Sequence, residues 1–146
     1  MSYNVRLFNI YNWIDEPLIP QKIQNFLQEK APSIICFQEY DSGTHLIFKS
    51  YSYSYFTENS SRYSSNLAIL SKYQILNSGT IDFPESSNNA IYADIIIKSD
   101  TIRVYNIHLQ SSGINTNIET LDSKQSNMLI SRLGSTFKDQ QYQAEL

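Results

Sequence analysis

The chain of 146 residues holds one cysteine, Cys36, and no second thiol to pair with it. A disulfide framework is therefore excluded, and a lone thiol inside an apolar run reads as a small buried hydrophobe. No apolar stretch approaches the roughly 20 residues that a membrane-spanning helix needs. The N-terminus shows no signal-peptide pattern either, so cytoplasm is the default expectation. Neither sign of charge dominates: 11 Lys and Arg stand against 14 Asp and Glu, a net −3. That balance argues against affinity built on a broad phosphate-binding surface, without excluding a locally basic cleft. Lys49, Arg62 and Lys72 are too scattered to trace a nucleic-acid track. Internal repeats, disordered low-complexity tails and linker composition are also missing, which leaves one domain.

What the chain does have is aromatic side chains: 11 Tyr, 7 Phe and Trp13 favour sheet over disorder. With 41% apolar and 17% charged residues, the composition is that of a soluble globular domain with a real core. Periodicity predicts strands over 2–8, 33–37, 51–56, 66–71, 75–83, 90–98 and 101–109, the last two joined by a tight turn at Ser99-Asp100. Leu18, Ile19, Ile23, Phe26 and Leu27 recur at helical spacing and predict an amphipathic helix over 18–30, ending before Pro32. A weaker helix is predicted over 118–146, with Gly134 able to break it. Loops fall at Asn9 to Pro17, 58–65, 86–89 and 111–117. Trp13 and the alternating Tyr51, Tyr53 and Tyr55 are expected in the core or on a sheet surface rather than under nucleic-acid bases. The order of elements is an α+β or α/β layout. No strand follows the last helix, so the chain reads as stopping in mid-fold.

Four polar side chains interrupt these apolar strands. Asn106 and His108 lie two apart on Val104–Ser111 and share a face with Val104, while Tyr105, Ile107 and Leu109 take the other. Glu39, preceded by Gln38, closes the apolar strand that starts at Ser33, and Asn4 is set into the first strand. Each has a plain structural alternative. Glu39 could be a solvated terminal carboxylate, His108 a partly buried ring bonded to backbone, and Asn4 an amide holding a neighbouring loop. His45 lies in a loop without a partner and is expected at the surface.

Ser2-Tyr-Asn-Val, Ile34-Ile-Cys-Phe-Gln-Glu39, Leu67-Ala-Ile-Leu-Ser-Lys-Tyr73 and Tyr105-Asn-Ile-His-Leu109 occur in an order and spacing that resembles the endonuclease/exonuclease/phosphatase superfamily, the DNase I-like fold. The first strand is similar to that of bacterial members carrying Tyr-Asn-Val-Arg-Leu-Phe. The resemblance implies an α/β (α+β) sandwich of mixed β-sheet with flanking helices. It also implies metal-dependent hydrolysis of phosphate esters, of phosphodiesterase, nuclease or phosphatase type. By the same resemblance Glu39 takes the metal, Mg2+ or Mn2+, with Asn4 orienting that carboxylate and the substrate phosphate. His108 and Asn106 become the catalytic contacts to the scissile phosphate, and Ser71 and Lys72 fall in a mostly structural motif. A single carboxylate can suffice for magnesium, which keeps several waters.

The family's later Gly-Asp-x-Asn and Ser-Asp-His motifs do not occur in these 146 residues. Residues 1–146 are therefore expected to form one incomplete domain, truncated in its second half and inactive alone. The alternative is a non-catalytic binding or interaction module on the same fold, able to self-associate through an exposed sheet edge. The substrate stays open among nucleic acid, a lipid headgroup and a small phosphorylated molecule, and no membrane segment is expected.

Overall fold

Two stretches, Ile34–Phe37 and Leu67–Leu70, are apolar at every position, the pattern of strands covered on both faces. The structure, a computed structural model, describes residues 1–44, 46, 48–57, 66–84, 86, 88–109 and 123–145. Its first sheet contains β1 (Ser2–Asn4), β2 (Ile34–Tyr40), β3 (Tyr53–Phe56) and β4 (Asn66–Ser71), in the spatial order β1-β2-β4-β3. The two apolar stretches are its central strands, β2 and β4, paired antiparallel, and β1 joins β2 in parallel. A second, antiparallel sheet is built from β5 (Ile75–Asp82), β6 (Asn89–Ile97) and β7 (Asp100–Ile107), with β6 in the middle.

The first sheet is the middle layer. On one side Ile35, Phe37 and Leu70 pack with Val5, Phe8, Ile23 and Leu27, the last two from α1 (Ile19–Lys30). On the other, Cys36, Leu67 and Ile69 meet Ile91, Ala93 and Ile95 of the second sheet. Among the described residues that second sheet is covered on one face only, so its strands alternate. Asp94 and Arg103 stand on its outer face, where the guanidinium pairs with the carboxylate at 2.7 Å and stacks over Tyr92 at 4.4 Å. No helix among the described residues is long and apolar enough to cross a membrane.

The mixed sandwich with flanking helices is as expected, but several boundaries move. The first strand stops at Asn4 instead of running to residue 8. Arg6, Leu7, Phe8 and Asn9 all carry positive φ (45, 50, 51 and 66°), which folds the chain back in a 3-10 turn. The reason is Phe8: its ring is buried edge-on against Phe37 and Tyr40, a position that an extended strand could not deliver. The turn between β6 and β7 centres on Lys98-Ser99, one residue earlier than expected, with Lys98 left-handed at φ 58°. Tyr51 sits before β3 and packs toward α1, while Tyr53 is exposed, so the tyrosines do not form one stripe. Trp13 is out on the surface, 44% exposed, with Tyr11 against its ring and Arg6 over it. The last helix, α2 (Ser123–Glu145), runs unbroken through Gly134. A helical glycine costs about 1 kcal/mol relative to alanine, which weakens a helix without ending it. The expectations for 58–65, 111–117, 118–122 and His45 lie outside the described residues.

Candidate active site

Three strand ends from two sheets meet at one edge of the sandwich. Asn4 ends β1, Glu39 lies next to the end of β2, and His108 follows β7. Glu39 gets there through a break in the strand's alternation. Ile35 and Phe37 face α1, Cys36 and Gln38 face the second sheet, and Tyr40 again joins the α1-side core. Strict alternation would send Glu39 into that core. Instead the β2–β4 register shifts between Phe37 and Tyr40, and Glu39 adopts a left-handed φ of 51°. A bulge of this kind re-aims a side chain at the expense of local strain, which a non-glycine residue retains only when its surroundings hold it there.

The re-aimed carboxylate is held in place by Asn4. Its Oε1 accepts a hydrogen bond from Asn4 Nδ2 at 2.8 Å and lies 3.6 Å from His108 Nε2. Asn4 in turn accepts the Arg6 backbone N–H at Oδ1, 2.9 Å away, so both ends of its amide are engaged and it is set to orient Glu39. The His108 backbone N–H donates to the Asn89 carbonyl at 3.2 Å, extending the β6–β7 ladder by one bond and fixing the ring's origin. Burial pushes the His108 imidazole below its ordinary value, opposed by the Glu39 carboxylate, so the ring is mostly neutral at pH 7.

Asn106 is placed differently from the other three. It is fully buried, and its Nδ2 donates to the Phe37 carbonyl at 2.7 Å and the Ala68 carbonyl at 3.0 Å. Its Oδ1 accepts from Gln38 Nε2 at 2.6 Å, and the same nitrogen donates to Ser2 Oγ at 2.9 Å. The amide thus ties β7 to the two central strands of the opposite sheet, two residues before His108. Gln38, noted in the sequence only as the residue before Glu39, is the relay in this network.

Whether the residues suit a divalent ion turns on the donor set. Among the described residues no three His, Cys, Asp or Glu side chains cluster to hold a metal by themselves. One partly exposed carboxylate, Glu39, is nonetheless what a hard cation tolerates, since magnesium binds through one or two carboxylates and keeps water and substrate oxygens as its other ligands. The donor set fits Mg2+ or Mn2+ at Glu39. A cavity of about 410 Å3 lined by Gln28, Tyr51 and Lys72 lies on the α1 side and includes none of these residues.

Sequence reasoning passed over Asn89, which it placed in a short Ser/Asn loop. The residue instead opens β6 beside His108, and the only signal was its position immediately before an apolar run.

The description of the endonuclease/exonuclease/phosphatase family matches this chain over residues 1–143. Among solved structures it is similar to D. rerio TDP2 complexed with single strand DNA product, at 18% identity and a TM-score of 0.58, covering 94% of this chain and 55% of that one. It is also similar to an endonuclease/exonuclease/phosphatase from Beutenbergia cavernae, at 11% identity and a TM-score of 0.63, covering 95% and 41%. A family protein from Leptotrichia buccalis matches at 16% identity and a TM-score of 0.54, covering 90% and 61%. At these identities the likeness establishes the DNase I-like fold, and the chain spans about half the length of these structures. No curated protein matches it.

Proposed function

The chain belongs to the endonuclease/exonuclease/phosphatase family, and on that premise we propose that it carries the Glu39–His108 side of a divalent-metal-dependent site for phosphate-ester hydrolysis. One observation supports this reading above the others. Residues from three separate strand ends converge, with Glu39 Oε1 at 2.8 Å from Asn4 Nδ2 and 3.6 Å from His108 Nε2, on a strained bulge that turns the carboxylate out of the core. Glu39 and Asn4 would hold Mg2+ or Mn2+, Glu39 as ligand and Asn4 as the amide that aims it. A bound divalent ion supplies Lewis-acid stabilisation of charge on the phosphoryl oxygens. His108, neutral and fixed by its backbone bond, donates a ring N–H to a non-bridging oxygen as charge builds there. Asn106 acts on the reaction as a positioning residue, through the strand that delivers His108.

We take residues 1–146 as one incomplete domain, whose remaining catalytic groups would come from the part of the fold that the longer relatives possess. The single-stranded DNA product in the D. rerio TDP2 structure supports a nucleic-acid phosphodiester as the first substrate class to try.

The test is calorimetric titration of Mg2+ and Mn2+ into the chain and its Glu39→Gln variant, followed by hydrolysis assays on single-stranded DNA. Binding weakened at least tenfold in the variant, with little turnover by the chain alone, is the expected result. Equal binding in both, or no binding by a folded wild type, would overturn the metal role of Glu39.

A further inference from the structure

We propose that Asn89 is a further ligand-binding residue of this site, its side-chain amide taking a phosphoryl oxygen of the group that His108 contacts. The inference deepens the hydrolase reading and rests on it for the identity of the ligand. Its own support is separate and geometric.

Asn89 is the first residue of β6 and is 1% exposed. The β6–β7 ladder pairs Ala90 with Ile107 and Ile91 with Asn106, so Asn89 stands opposite His108, whose backbone N–H it accepts at 3.2 Å. Alternation along β6 puts Asn89 on the face of Ile91, Ala93 and Ile95, which is the face between the sheets. Across the ladder the same face carries Asn106 and His108. Side chains directly opposed on an antiparallel pair start about 5 Å apart, so the Asn89 side chain leaves the sheet next to that of His108, on the same face.

The amides of Asn4, Gln38 and Asn106 around this site are all engaged with protein groups. Asn89 is the exception: neither its Nδ2 nor its Oδ1 has a hydrogen-bond partner among the described residues. Burying an unpaired amide is unfavourable, and leucine of nearly the same size would fill the position without that penalty. An amide kept there unpaired implies a partner that arrives from outside. The partner must accept from Nδ2, and it must carry or bring a hydroxyl or water for Oδ1. A phosphate group meets both needs, and its negative charge strengthens the N–H contact. Reaching the amide requires side chains at the mouth to give way, a rearrangement common on ligand binding.

The experiment is a titration of inorganic phosphate into the 15N-labelled chain, with and without Mg2+, following the assigned side-chain NH2 signals of Asn89 and Asn106. The Asn89 pair should shift with phosphate while the Asn106 pair, held by two carbonyls, stays in place. Asn89→Leu should weaken phosphate at least fivefold with its backbone spectrum retained, and Asn89→Asp should weaken it further by like-charge repulsion. An unmoved Asn89 pair, as when the amide holds only a buried water, would overturn the proposal, and so would unchanged affinity in Asn89→Leu. The wild-type signal decides the matter even where a variant fails to fold. Magnesium binding at Glu39 is measured separately. Phosphate binding without magnesium binding would therefore sink the metal reading and keep Asn89, and the reverse result would do the opposite.

Discussion

Asn106→Leu keeps the side chain's size and removes every polar contact it makes. Three buried groups lose their partner: the Phe37 and Ala68 carbonyls and one N–H of Gln38, at original distances of 2.7, 3.0 and 2.6 Å. A buried group left unpaired costs about 1–3 kcal/mol. The carbonyls retain a second lone pair, and Gln38 keeps its bond to Ser2, so the lower end applies to each. The total loss is then about 3 kcal/mol, a large share of the roughly 5–15 kcal/mol that holds a domain folded. With a urea slope near 2 kcal/mol per molar, the midpoint should fall by about 1.5 M, read by circular dichroism on the purified chain. Asn106→Asp should be worse, because it replaces the donor with an oxygen facing two carbonyl oxygens. The reasoning fails if Asn106→Leu unfolds within about 0.5 kcal/mol of wild type. If phosphate binding were lost at the same time, Asn106 would be a group that touches the ligand and not a brace.

Glu39→Gly should abolish magnesium binding while leaving the chain as stable as wild type or up to about 1 kcal/mol more so, since glycine relieves the left-handed φ of 51°. A clear loss of stability in a denaturant melt would instead make the Asn4–Glu39 bond structural. Because burial holds the folded His108 ring below the ordinary value of about 6.5, the unfolded chain takes up that proton first. This contribution to stability is intact above that pH and declines as the pH falls below it, a limb that His108→Gln should flatten in metal-free melts. An identical limb in the variant would refute the assignment. Gly79→Ala should cost about 1–2 kcal/mol, because a Cβ there would lie 2.7–2.9 Å from the tip of the Tyr92 ring, which can swing away only by leaving its stack under Arg103. The penalty should shrink in a Tyr92→Val background, as thermal melts of the four chains would show.

Much of the architecture was readable because its causes are local. Continuous apolar runs at Ile34–Phe37 and Leu67–Leu70 announce strands covered on both faces, and helical spacing from Leu18 to Leu27 announces α1. The errors came where a distant residue wins over local preference. Phe8 leaves the first strand because its ring is needed over Phe37 and Tyr40, about 30 residues away in the chain. Asn106 looked like a site residue because an amide is out of place in an apolar strand. That two carbonyls 69 and 38 residues distant require a donor at that position has no trace in its neighbours.

The sequence by itself determined the chemistry available: one carboxylate, one imidazole and a few amides, each at the end of an apolar strand. The tertiary structure alone decided which of them meet. Glu39 reaches Asn4 and His108 only through the register of β1 on β2, the packing of two sheets and a bulge that turns it out of the core. It also decided which amides are braces, Asn4 and Asn106 among them, and which, at Asn89, has no partner among the described residues. Hydrogen-bond satisfaction is settled between residues far apart in the chain, and that pairing exists only once the sheets have closed on each other.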